Sequence, residues 1–502
     1  MRQQGFQAGG CLVLVLGLLA CSATRPPVVA CPEPPQGMDA ESPTFRAEDL
    51  RSDLAALHAG LQEAHVDLYA RQSKAALDQA FAEAMHGIDR PLTRTAAELY
   101  FQRVVAKVQV AHARIDLPFA RWSAYRDAGG RALPLFLRVD DGRVYVWELA
   151  MPVAGLAPGD EVISVDGHAA LSWLNNLGAL VSADTDYMRY AQMERLLPML
   201  AWLAHGDVDG VALQVRRSDG HVASVTVASR CRAEILAAAT TPADQAAPAS
   251  REFRLLNATT GYLKPGPFYD DRPEAETPWS TTAFRTFIDA SFQDLIAKNA
   301  DTLIIDLRDN PGGDNSFSDL MLAWFATQPF RFSPGFEIKV SPQTTASNQA
   351  RLDSAPADAG GASADMAKLF VGKQTGDVVV YPIPEVAPRP GDRFRGKVYV
   401  LINRHTYSNA TNVAAVIQDY KFGTLLGEET SDLASTLGAM EQFTLPHTGI
   451  VVGYPKARIL RPNRDPAPRG VVPDHVLVSP HGRDGHDAVL ALALDWVRQQ
   501  TE

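Results

Sequence analysis

Cysteine is scarce in this chain, four in 502 residues, and no two of the four stand in a Cys-x-x-Cys pair. A His-Glu-x-x-His stretch is also missing, so a zinc centre has no support in the sequence. No glycine-rich phosphate loop of the P-loop kind is present. Positive charge is in deficit: 47 Lys and Arg stand against 58 Asp and Glu, a net charge of −11. Nucleic-acid surfaces need a basic stripe, so that class of partner is excluded. No run of like charges marks an interaction tail, and no short-period repeat points to a solenoid. A long hydrophobic run is absent from the N-terminus too. The apolar stretch Cys11 to Ala20 falls well short of the roughly 20 residues that a permanent membrane span requires.

That short stretch has another use. Arg2 precedes it and Cys21 follows it, the layout of a signal peptide. Leu18-Leu19-Ala20-Cys21 resembles a bacterial lipobox, in which Cys21 is lipidated after cleavage. Small Ala20 and polar Ser22 favour this over an ordinary signal peptide with an incidental cysteine. The expectation is a signal peptide with lipobox over 1–21 and a Pro-rich polar tether over 22–45. The protein would then face the periplasm of a bacterial cell envelope, lipid-anchored to the outer membrane. With Cys11 removed and Cys21 acylated, Cys31 and Cys231 remain. In an oxidising periplasm they can pair. Two unpaired thiols fit the sequence equally well, because spacing does not report their distance.

At 46% hydrophobic content a chain of this length buries more than one core. Residues 46–130 begin with helical periodicity, for example Leu50, Leu54, Leu57 and Leu61, with Ser73 and Thr93 as N-terminal caps. Over 131–230 the pattern changes to short strands. Gly155-Leu156-Ala157-Pro158-Gly159-Asp160-Glu161-Val162 resembles a turn and strand of a PDZ domain, a module that adds an extended peptide to an open sheet edge. The long helical stretch Ser172 to His205 departs from a compact PDZ. Residues 250–500 read as a mixed α/β core. Within it, Ser341 to Ala364 is rich in Ser, Ala, Gly, Asp and Gln and reads as a loop or lid.

The most informative stretch lies in that core. Thr302-Leu303-Ile304-Ile305-Asp306-Leu307 is an apolar, β-branched run that stops at Asn310-Pro311-Gly312-Gly313. Glycine tolerates conformations that turn backbone amides outward, and exposed amides can hold a developing oxyanion. A second apolar run, Val398 to Asn403, leads into Thr406-Tyr407-Ser408. That places a serine just past a strand end, where α/β sheets carry their working groups. At these residues the chain resembles the tail-specific (C-terminal processing) serine proteases. Their Asp-Leu-Arg-x-Asn-Pro-Gly-Gly turn matches Asp306 to Gly313, and their Thr-x-Ser matches Thr406 to Ser408. Gln418-Asp419, Gly427-Glu428-Glu429-Thr430 and Gly470-Val471-Val472-Pro473-Asp474 match further motifs.

The chain departs from the family at the base. A serine hydroxyl needs a positioned group to take its proton. Many tail-specific proteases use a lysine, in Gly-Glu-x-Thr-x-Gly-Lys-Gly. Here that position is Leu433, 433 − 408 = 25 residues past Ser408, and leucine takes no proton. A second branch, resembling the tricorn protease core, uses a histidine from the N-terminal helical region. His112, before Ile115-Asp116-Leu117-Pro118, stands in the matching place, although the serine expected before it is Ala111. No glutamate lies just before Gly470, and Asp465 is the nearest carboxylate available to orient the imidazole. His405 lies three residues from Ser408 and is expected to point away. Asp306 and Arg308 are expected in core hydrogen bonds or an ion pair, while Glu428, within a family-matching motif, fits a structural hydrogen-bonding role at least as well as a functional one.

The resemblance implies a mixed α/β fold: a ClpP/crotonase-like sheet core with an N-terminal helical segment and an inserted PDZ-like module. It implies a serine endopeptidase without cofactor, acting on protein or peptide substrates. Ser408 would be nucleophile, His112 general base and Asp465 third member, with an oxyanion hole from the amides of Gly312 or Gly313 and Asn409. The alternative is a non-catalytic ligand- or peptide-binding protein on the same fold, since the family includes members resembling the retinoid-binding protein of photoreceptors. Leu433, Ala111 and the missing glutamate favour that alternative.

Overall fold

The computed structural model describes residues 31, 43–238, 250–354, 361–483 and 485–500. The signal peptide, Cys21 and all of the tether except Cys31 and residues 43–45 lie outside the described residues. Among those described, no helix is long and apolar enough to cross a membrane.

Three helices open the chain: Ala47–Ala64, Lys74–Gly87 and Arg94–Val105. Ser73 and Thr93 cap the second and third, each side-chain oxygen accepting the amide three residues on. Leu50, Leu54, Leu57 and Leu61 are fully buried on one stripe of the first helix. The surface they meet comes from the far end of the chain, where Leu437, Leu445, Ile450, Val452 and Tyr454 complete the cluster. The helical region is therefore packed on the hairpin of strands Thr436–Thr444 and Val451–Ile459.

Residues 132–230 make a separate excursion. Ala132 and Arg230 bond each other in both directions, at 3.0 and 2.8 Å, and close its neck. Inside lie antiparallel strands Leu135–Asp140, Arg143–Leu149, Glu161–Val165, Gly210–Arg216 and Val222–Ala228, in that sheet order. Helices Ala170–Gly178 and Asp186–His205 cover them, so the long helical stretch is two helices, the second capped by Thr185. Cys231, next after the neck, is fully buried and disulfide-bonded to Cys31, with Cα atoms 6.0 Å apart.

The C-terminal half is built on a six-stranded sheet. Its order is His475–Val476, Thr424–Gly427, Lys397–Ile402, Thr302–Asp306, Thr260–Lys264 and Glu252–Leu255. Only the last strand is antiparallel. Thr302–Asp306 is buried at all five positions, the pattern of a parallel strand covered on both faces. Helices Thr282–Ala297, Asn315–Leu322 and Asn409–Asp419 pack on one face, and Ala488–Gln499 on the other. The architecture is mixed α/β.

One expectation is corrected. Ser341 to Ala364 is not a loop: helix Pro342–Ser354 occupies its first part, and helix Ala362–Phe370 begins at its end. Ser341 Oγ accepts the Thr344 amide at 3.0 Å with Pro at the first helical position, a strong start signal. The buried face is polar, which hid it from hydrophobic periodicity. Thr344 bonds the Tyr454 hydroxyl at 3.2 Å, and Ser347 and Arg351 both bond Glu441.

Candidate active site

Asn310 ties the two functional turns together. Its carbonyl accepts the Tyr407 amide at 3.0 Å. Its side chain donates to the Gly266 carbonyl at 2.6 Å and accepts the Gly312 amide at 2.9 Å. The Gly-Gly turn is thereby pressed onto the Ser408 turn. A β-carbon at Gly312, whose φ is +89°, would lie 2.6 Å from the Tyr407 carbonyl oxygen and 2.7 Å from both Asn409 N and Ser408 Cβ. Only glycine allows that approach.

Ser408 sits between strand Lys397–Ile402 and helix Asn409–Asp419. Its backbone is at φ 54°, ψ −126°, a region that non-glycine residues enter at a cost and mostly at functional turns. Strand–strained serine–helix is the geometry that lifts a hydroxyl above a sheet end. Two donors accompany it. The first turn of a helix leaves the Asn409 N–H without an intrahelical acceptor. Gly313 is exposed, and among the described residues none accepts its N–H or that of Asn409. The Gly312 N–H is a different matter, since Asn310 occupies it. That corrects the expectation of Gly312 as an oxyanion donor: its part is close approach.

His112 lies in the turn after the third helix. Its Cε1 is 3.9 Å from a β-carbon position at Gly438, which follows Leu437 on strand Thr436–Thr444. Ring atom Nδ1 is buried and lacks a hydrogen-bond partner among the described residues. Burial, assisted by the positive charge of Arg114 and opposed by the Leu437 backbone, lowers the imidazole to about 4. The ring is neutral at pH 7, as a base must be. Ala111 beside it packs with Leu433, Ala183 and Met188 in one buried cluster, and Leu433 directly follows Asp432, whose carboxylate accepts the Ser408 amide. No hydrogen bond joins His112 to Ser408 among the described residues. Beside Leu437 opens a cavity of about 290 Å³, bordered by Asp67, Arg71, Glu337, Arg458 and Pro466.

Asp465 is not brought to the imidazole. It is exposed, its carboxylate accepts the Ala467 amide at 3.0 Å, and its carbonyl accepts the Ser435 hydroxyl. The local turn uses it up. His405 does point away, bonding Glu194 at 2.7 Å. Glu428 accepts from Arg404 at 2.6 Å and from Arg138 at 2.9 Å, and Asp306 pairs with Arg308 at 2.6 Å.

Two residues at this site escaped sequence reasoning. Asp432, 2% exposed, accepts the Ser408 N–H through Oδ2 at 2.5 Å and the Leu433 N–H through Oδ1 at 2.9 Å. Asp184, also buried, accepts the Ala111 N–H at 2.9 Å. The first left a signal: it stands where Gly-Glu-x-Thr-x-Gly-Lys-Gly has glycine, an unforced carboxylate next to the lost lysine. The second left none, because no motif covers it.

Residues 279–477 match the family described as peptidase family S41. No curated protein matches the chain in sequence. Among solved structures, mature CPAF is similar at 17% identity, covering 86% of this chain and 93% of that one, with a TM-score of 0.60. Mature CPAF complexed with lactacystin is similar at 16% identity, covering 91% and 98%, with a TM-score of 0.61. The photosystem II D1 C-terminal processing protease is similar at 17% identity over 86% and 93%, with a TM-score of 0.42.

Proposed function

We propose that the chain is a serine endopeptidase of the tail-specific kind, with Ser408 as nucleophile and His112 as general base, a reading supported by the match of residues 279–477 to peptidase family S41. The observation that carries this reading is the Ser408 turn. A strained serine backbone, a glycine with no room beside it for a side chain, and two amides without an acceptor among the described residues are arranged together. A binding protein has no use for that combination.

In the proposed reaction His112 takes the Ser408 hydroxyl proton as Oγ attacks the peptide carbonyl. The carbonyl oxygen, now negative, is held by the N–H groups of Gly313 and Asn409, with the helix Asn409–Asp419 adding its positive end. His112 then returns the proton to the leaving amine, and water, deprotonated by the same ring, hydrolyses the acyl-enzyme. Charge builds on the imidazole without a carboxylate partner, because Asp465 is engaged elsewhere. Substrate must also draw Ser408 and His112 into hydrogen-bonding range, a tightening common between free and occupied sites.

The second reading, a non-catalytic binding protein, is favoured by one observation: no hydrogen bond joins Ser408 and His112. Labelling with a serine-directed fluorophosphonate separates the two. We expect wild type to be labelled, with loss of label in Ser408→Ala and in His112→Ala. A folded wild type that takes no label refutes the protease mechanism, and label surviving in His112→Ala removes the histidine from it.

A further inference from the structure

Each half of the candidate catalytic pair has its backbone gripped by a buried carboxylate, and the two carboxylates come from different parts of the fold. Asp432 grips the Ser408 turn from the core. Asp184 lies between helices Ala170–Gly178 and Asp186–His205 of the 132–230 excursion, and it grips Ala111, the residue before His112. The segments carrying them touch, since Ala183 packs with Ala111 and Leu433. Burying two negative charges side by side is unfavourable. Arg71 offers the only nearby cation that either one bonds among the described residues, at 3.5 Å from Asp184.

We propose that Asp184 and Asp432 are positioning residues, a facing pair through which the inserted module aligns the base-bearing turn against the nucleophile-bearing turn. The inference rests on the serine-protease reading and deepens it.

Two consequences follow from the contacts. The Ser408 N–H is taken by Asp432 and so stays out of the oxyanion hole. Both Asp432 oxygens accept amides, so it is the ionised carboxylate that fits the turn, and a proton on either oxygen weakens the grip. The groups facing Asp432 are Asp184 from the module and Tyr407 from the nucleophile turn, with Arg71 behind Asp184 and Arg114 acting on Tyr407. Burial, opposed by the two amides and reinforced by Asp184, pushes the Asp432 carboxyl up to about 7. His112 titrates far below, at about 4. Reactivity of Ser408 is therefore present above pH 7 and lost as pH falls through it, well before the base is protonated. Neutralising Asp184 removes a like charge and moves that limb to lower pH.

The test is the rate of fluorophosphonate labelling of the full chain from pH 5 to 9, with unfolding followed in parallel. Wild type should show an acid limb near pH 7. Asp184→Asn, with its hold on the base-bearing turn weakened, should label more slowly than wild type, with the limb displaced downward by roughly half a unit or more. Asp432→Asn should label about tenfold more slowly, a barrier change of about 1.4 kcal/mol, and lose the limb near 7. A purely structural role would slow labelling at every pH alike, so an unmoved limb in folded Asp184→Asn overturns the proposal. If that variant does not fold, Asp432→Asn decides: a limb that persists near pH 7 overturns it. A wild type with no label at any pH fails at the earlier step and refutes the protease reading itself.

Discussion

Gly312 shows how much of this site rests on a single missing side chain. Its hypothetical β-carbon meets backbone atoms on both sides of Ser408, and backbone cannot swing aside as a flexible side chain can. We expect Gly312→Ala to abolish fluorophosphonate labelling and to lower the melting temperature. Gly159→Ala, at a positive φ of +92° but in open space, should cost about 1 kcal/mol of backbone strain and leave labelling intact. Equal labelling in the two variants would show that the Gly-Gly turn does not shape the nucleophile. The Gly-Gly turn and Ser408 were legible in the sequence because glycine, proline and a serine after an apolar run are local features. Asp184 was not. It reaches Ala111 across 73 residues of chain, and pattern reasoning has no access to a hydrogen bond that exists only after two domains have packed. Asp465 failed for the converse reason: nearness in sequence to a motif said nothing of where its side chain would find an amide.

Among the elements, the loop between strand Lys397–Ile402 and helix Asn409–Asp419 is fastened to the inserted module by Arg404. Its guanidinium, 3% exposed, donates to Glu194 at 2.7 Å, Glu428 at 2.6 Å and the Val139 carbonyl at 3.0 Å, and it also bonds Asp140. His405, next in sequence, shares Glu194. The helix Asp186–His205 and the edge strand Leu135–Asp140 are thus both engaged by the loop that carries the nucleophile. We expect Arg404→Ala to cost on the order of 3–5 kcal/mol, because it removes a buried cation that Glu194, Glu428 and Asp140 share. A urea titration measures this, and a loss below 1 kcal/mol would mean that the contact is incidental. The sequence left Glu428 between a functional and a structural role, and its bonds to Arg404 and Arg138 place it in this fastening. The helix Pro342–Ser354 was misjudged because its packing face is Thr, Asn and Ser, and the residues that betray it, Ser341 and Pro342, are equally common in turns.

At the scale of the whole molecule, the first helices and the last hairpin share a core, and a disulfide closes a loop with a sequence separation of 200 residues. Such a cross-link limits the unfolded chain far more than the folded one. The chain-entropy relation gives about 5 kcal/mol for a loop of that size. Reduction with a thiol, or Cys231→Ser, should therefore lower the urea midpoint clearly, while a change of under 1 kcal/mol would place the bond outside the cooperative unit. The sequence left this pairing open, since spacing carries no distance; it was settled by where the module's neck returns the chain. The neck gives the bond a mechanical meaning as well. A pull on the residues before Cys31 does not have to peel the helix Ala47–Ala64 from its hairpin. It passes through sulfur into Cys231, one residue from the Ala132–Arg230 bridge that closes the excursion. A pull applied before Cys31 therefore enters the fold at Cys231, and that tension bypasses the helices beside His112.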